Sequence, residues 1–154
     1  MTATTEATIE ADPKVPLVRI TRQFDAPPAK VFRAHTDPAL LCRWNGPRDT
    51  VMTVDAFDCR TGGSYRLDFG GGMEFFGRYV EVTPPELISW TNEEGAGGGS
   101  VTTVTFDEDD GRTLVVLTER YPSKEALDAE GTGAAEATHE TFAQLDEVLA
   151  SLVA

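Results

Sequence analysis

Thr138, Phe142, Leu145, Leu149 and Leu152 step by 4, 3, 4 and 3 positions, a spacing that lays one apolar stripe along an α-helix. Ala134, Ala135 and Ala137 stand at its amino end, after Gly131-Thr132-Gly133, and Glu136, Glu140, Asp146 and Glu147 take the remaining sides. The pattern predicts one continuous helix over 134–152. It constrains everything before it, because a helix with a single apolar side needs a partner surface, and the chain offers a sheet. The runs VMTVDAFDC, SYRLDF, MEFFGRYVEV, ELISWTN, SVTTVTF and RTLVVLTERY fill residues 51–121. Between them lie Thr61-Gly62-Gly63, Gly70-Gly71-Gly72, Pro84-Pro85, the Gly95 to Gly99 stretch and Asp109-Asp110-Gly111. Connections this short make neighbouring strands antiparallel.

Upstream, Val18, Ile20 and Phe24 alternate with Leu17, Arg19, Thr21 and Gln23, as in a strand with one buried face. Arg22 is the misfit, falling on the apolar side. Pro27-Pro28 then opens a short helical run carrying Val31, Phe32 and His35. Asp37-Pro38 starts a second, with Asp37 as N-cap and Leu40, Leu41 and Trp44 on its apolar side, before Gly46-Pro47 stops it. Neither run is long enough to stand alone. The resulting fold class is α+β: a seven-stranded curved antiparallel sheet around a long C-terminal helix, with two short helices between strands 1 and 2. The short pair plugs one end of the curled sheet, and the space enclosed is a natural pocket.

The chain has 154 residues, 40% of them hydrophobic and 25% charged, enough for one core and one domain. Residues 1–16, MTATTEATIEADPKVP, carry neither a basic nor an apolar block. They are expected to be a flexible N-terminal tail before a single domain at 17–154, with cytoplasmic residence as the default. No apolar stretch reaches the ~18 residues of a membrane span, so no membrane insertion is expected. The formal charge of −13 is lopsided: residues 78–154 hold 4 Lys/Arg against 16 Asp/Glu. Such a surface repels phosphate backbones, which argues against nucleic acid as a partner.

Cys42 and Cys59 are expected to be reduced thiols. His35 and His139 lie too far apart in the chain for a zinc motif, so no metal is expected. The glycine loops lack the Gly-Lys-Ser/Thr ending of a phosphate cradle, and no cofactor is expected. Asp107 to Asp110 lacks the spaced ligands of a calcium loop and reads as a solvated hairpin tip.

What remains is aromatic. Trp44, Tyr65, Phe69, Phe75, Tyr79, Trp90 and Phe142, with Thr138 at the helix margin, are the candidate lining of a cavity for a flat apolar ligand. Tyr65, Leu67 and Phe69 share one strand face, as do Ile88 and Trp90. Arg66, Glu74, Arg78 and Glu119 are polar candidates from strands, of which one or two would point inward. His139 has no partner in the pattern, and no set of residues with nameable catalytic roles emerges. The expected partner is a hydrophobic small molecule, bound by a monomer or a homodimer.

The run RQFDAPPAKVFRAHTDPALLCRWNGP, the strand pair RTGGSYRLDF, the segment GRYVEVTPPELISWT and the closing amphipathic helix resemble, in that order, the START-like (SRPBCC) superfamily. Within it they are similar to the branch named after the activator of heat-shock protein 90 ATPase. The resemblance covers roughly residues 17–152 and implies a helix-grip fold. It further implies a cavity that binds hydrophobic, lipid- or polyketide-like molecules, with cyclase or hydrolase chemistry in that cavity, or co-chaperone action, as the alternatives. The chain departs from the branch where adjacent tryptophans are usual and it reads Trp44-Asn45. It departs again near the start of the last helix, where His139 to Phe142 includes no tryptophan.

Overall fold

Burial alternates along the strands as the side-chain period of two requires, and the computed structural model places every predicted strand run in one sheet. It describes residues 8–11, 14–44, 52–70, 74–93, 99–125 and 133–152, with side chains of the last segment from 138 onward. In chain order the elements are β1 (Thr8–Ala11), β2 (Leu17–Phe24), α1 (Pro28–Thr36), α2 (Pro38–Leu41) and β3 (Thr53–Phe57). Then follow β4 (Ser64–Asp68), β5 (Glu74–Thr83), β6 (Leu87–Asn92), β7 (Ser100–Asp109), β8 (Arg112–Arg120) and α3 (Gly133–Ser151). The sheet order is β1-β2-β8-β7-β6-β5-β4-β3, antiparallel throughout. This is the helix-grip arrangement.

The strand count differs from expectation by one. Eight strands are present, because Thr8–Ala11, inside the segment expected to be a flexible tail, pairs with β2 from Thr8↔Thr21 to Ala11↔Val18. Without it β2 would be an edge with open N–H and C=O groups. Only Ile9 contributes an apolar side chain that packs on the core, which is too little to mark a strand by periodicity. The stop signal Gly46-Pro47 lies outside the described residues.

The short helices form as their sequence signals require. Pro28 occupies the first turn of α1, where an N–H would have no partner. The Asp37 carboxylate accepts from the Ala39 N–H at 3.0 Å and caps α2. Both α1 and α3 lie on one face of the sheet: Phe32 and His35 of α1 meet Phe106 of β7, and Phe142 of α3 meets Phe24 of β2. The predicted stripe is the buried side of α3, with Phe142, Leu145 and Leu149 in the core beside Val148.

Arg22 is not an error in the alternation. It sits on the inner face of β2, 5% exposed, and its guanidinium donates to both oxygens of Asp146 on α3, at 2.8 and 2.5 Å. Its planar head also lies 4.4 Å from the centre of the Phe24 ring. A buried charge is tolerated when it is paired in this bidentate way. No described helix is long and apolar enough to cross a membrane.

Candidate functional site

The helices described pack chiefly over the β2–β8–β7 half of the inner face. The aromatic candidates concentrate on the other half. Registers line them up along the inner face with one two-residue step on β5: Phe57 opposite Tyr65, Tyr65 opposite Gly77, then Tyr79 opposite Trp90, Trp90 opposite Thr102, and Thr102 opposite Glu119. Rings follow the register, with centroids 6.0 Å apart for Phe57–Tyr79, 5.6 Å for Tyr65–Tyr79 and 6.4 Å for Tyr79–Trp90.

Gly77 makes the row possible. A Cβ there would collide with the Thr91 carbonyl, so only glycine lets the Tyr65 ring lie across β5 and donate its hydroxyl to that same carbonyl at 2.8 Å. Burial above all, then the neighbouring Cys59 thiol and Tyr65, raise the Tyr79 phenol well above its ordinary value. It stays neutral at any physiological pH.

A polar ladder continues from the rings. The Trp90 indole N–H donates to the Asn92 Oδ1 at 3.2 Å. Because that N–H can only donate, it fixes the amide so that Nδ2 faces β7. Asn92 Nδ2 then donates to Thr102 Oγ1 at 2.8 Å and Ser100 Oγ at 3.1 Å, and the Ser100 hydroxyl donates to Glu119 Oε2 at 3.2 Å. Of the four strand charges considered from sequence, Glu119 is the one on this face. Arg66 and Glu74 pair with each other at 2.7 Å on the outer face, and Arg78 is exposed there.

Other candidates fall elsewhere. Trp44 is 5% exposed beneath the two short helices; its N–H donates to the Ala34 carbonyl at 3.0 Å and its ring lies 4.7 Å from that of His35. Phe142, 2% exposed, meets Phe24 edge-on at 5.1 Å. Phe69 and Phe75 form their own pair at 5.2 Å, beside Leu67. Thr138 is half-buried on α3 and its carbonyl accepts from Thr141. The structure therefore gathers Tyr65, Tyr79 and Trp90 and leaves Trp44 and Phe142 apart from them. Sequence reasoning missed Phe57, Asn92, Ser100 and Thr102. Asn92 was findable, since it is two residues beyond Trp90 on the same strand face.

Reactive groups are quiet. Burial raises both cysteine thiols, and at Cys59 the adjacent Asp58 adds to the effect while Tyr79 opposes it, so neither is an activated nucleophile. His35 donates from Nδ1 to the Val31 carbonyl at 2.9 Å, and burial lowers its pKa to about 4. Among the described residues, Asp55, Asp68 and Glu74 bring carboxylate oxygens within 4.8 Å of one another. They face solvent on the outer side, and Arg66 already compensates Glu74.

Comparison with known proteins places this geometry. The family model described as "Activator of Hsp90 ATPase homolog 1-like protein" matches residues 25–150. No curated protein matches. Among solved structures, protein Ms6760 from Mycobacterium smegmatis is 25% identical with a TM-score of 0.81, over 96% of this chain and 99% of that one. A protein from Rhodobacter sphaeroides is 27% identical with a TM-score of 0.83, over 95% of this chain and 100% of its own. Protein CV1439 from Chromobacterium violaceum is 30% identical with a TM-score of 0.73, over 87% and 96%. With the fold, the order of its elements and the match along most of its length in agreement, the chain belongs to the family of activator of Hsp90 ATPase homolog 1-like proteins.

Proposed function

We propose that this protein binds a flat, apolar small molecule against the β3–β6 half of its inner sheet face. The observation that carries the reading is the single row in which Phe57, Tyr65, Tyr79 and Trp90 run directly into the ladder of Asn92, Thr102, Ser100 and Glu119. Four polar side chains on an inner face offset their desolvation here by bonding one another, which fixes a polar edge beside the rings. A ligand site is built this way, from apolar walls with a few fixed polar groups. Phe69 and Phe75, on the same face, extend the wall of the proposed site. Trp44 and Phe142 are left out of it, since their contacts are those of ordinary core.

The chemistry of the ladder narrows the ligand. It includes a carboxylate, Glu119, so a ligand presenting a hydroxyl or amine is favoured beside it and one presenting a carboxylate is repelled. Cyclase or hydrolase chemistry calls for ionisable groups converging on the reacting atoms. The reading as a binding site rests on the ladder's fixed hydrogen bonds, in which Asn92 holds Thr102 and Ser100, and Ser100 donates to Glu119.

The test is a thermal-shift screen with matched compounds: a flat polycyclic hydrocarbon skeleton, its hydroxylated analogue and its carboxylated analogue. The hydroxylated form should stabilise the protein most and the carboxylated form least. Asn92→Ala should weaken the hydroxylated compound about tenfold, the equivalent of one good hydrogen bond, and leave the unsubstituted skeleton unaffected. Equal responses to all three compounds in both proteins would remove the ladder from recognition.

A further inference from the structure

The hydrogen bonds of the polar ladder leave one proton over. Both protons of the Asn92 amide are committed, to Thr102 Oγ1 at 2.8 Å and to Ser100 Oγ at 3.1 Å. Its Oδ1 accepts from the Trp90 indole at 3.2 Å and stands 3.3 Å from the Tyr65 hydroxyl. Ser100 is matched as well, since it accepts from Asn92 and donates to Glu119 Oε2 at 3.2 Å. Thr102 is different. Its oxygen accepts from Asn92, yet among the described residues no acceptor lies within reach of its own hydroxyl proton.

Thr102 is 5% exposed, so bulk water is largely shut out from that proton as well. A buried hydroxyl with nothing to donate to carries a desolvation cost that the fold does not offset. The position of the residue gives the proton a use. Thr102 lies on the inner face directly between Trp90 and Glu119 in register, where the rings give way to the ladder. Directly opposed side chains begin about 5 Å apart, so a flat molecule lying against the Trp90 ring brings its edge to this hydroxyl.

We infer that Thr102 is the specificity-determining residue of the proposed site, donating to an acceptor oxygen of carbonyl type on the edge of the bound ring system. This role holds only if the face is the ligand site proposed above, and it narrows the ligand to one that carries such an oxygen. A carbonyl brings lone pairs and no proton, which is what the ladder lacks at this point. The preference for a hydroxyl is compatible with it, because the acceptor meets Thr102 and the hydroxyl meets Glu119 one strand further on.

Equilibrium dialysis of the whole protein against fluorene and fluorenone, flat tricyclic compounds that differ by one carbonyl oxygen, separates this donor from the rest of the site. The wild type should hold fluorenone about tenfold more tightly than fluorene, as for one added hydrogen bond. Thr102→Val should bind the two equally, and Thr102→Ser, which keeps the donor, should keep the preference. A hydrogen-bonded carbonyl vibrates at lower frequency, so the infrared band of bound fluorenone should lie below its position in hexane for the wild type and Thr102→Ser. For Thr102→Val it should not. Circular dichroism identifies a variant that has lost its fold, in which case the wild-type band alone decides. Equal binding of the two compounds by the wild type, an unshifted band, or a preference that survives Thr102→Val would overturn the role of Thr102 and leave the site standing. Binding of neither compound would overturn the role and the site together.

Discussion

His35 and Arg22 show how much of a polar residue's role can be read before the fold is known. Both fall on apolar faces in the sequence pattern, and both are buried in the structure, 8% and 5% exposed. The periodicity revealed that they point inward. It gave no hint of what they meet, because Asp146 and Phe106 are more than seventy residues away in the chain. Burial of His35 has a measurable consequence. Its folded pKa of about 4 lies below the ordinary 6.5, so the unfolded chain binds the proton more readily. Its contribution is fully present above about pH 6.5 and is lost as the pH falls towards 4, by up to roughly 3 kcal/mol. His35→Phe keeps a ring beside Trp44 and Phe106 and removes the titration. Urea denaturation between pH 7 and 4 should therefore show a shallower decline for the variant than for the wild type. Parallel curves would mean that His35 is solvated and protonates freely.

At the scale of elements, the long helix, the two short helices and the strand runs were all legible, because each carries its own periodicity and its own start or stop signals. β1 was not, since four residues with one large apolar side chain resemble any polar tail until β2 is there to pair with them. The row from Phe57 to Glu119 was half legible. Alternation assigns Tyr65, Tyr79 and Trp90 to faces, but register decides which of them are neighbours, and register is a property of paired strands. Gly77 is the pivot of that register. Gly77→Ala should push β5 away from the Thr91 carbonyl, displace the Tyr65 ring and destabilise the fold by about 1–3 kcal/mol, as overpacking does. The Tyr65 hydroxyl bond should be lost with it. An unchanged denaturation midpoint, with Tyr65 ring resonances unmoved in NMR spectra, would show that the strands do not approach as closely as described.

Over the whole molecule, the helices pack chiefly on one half of the inner face, and an aromatic row occupies the other, its polar ladder running on into β7 and β8. The family accounts for the fold and for the order of its elements. The row belongs to this chain's own residues, and the account of function rests on it. The two tryptophans allow a direct measurement, because Trp90 stands in the row and Trp44 stands in the plug beneath the short helices. Trp44→Phe leaves Trp90 as the sole indole, and Trp90→Phe leaves Trp44. Fluorescence titration of both with the hydroxylated polycyclic compound should quench Trp90 in the first variant, saturating at the affinity found by thermal shift. It should leave Trp44 in the second nearly unchanged. Quenching confined to Trp44, or no saturable quenching of Trp90 by any compound that binds, would place the ligand elsewhere and contradict the account.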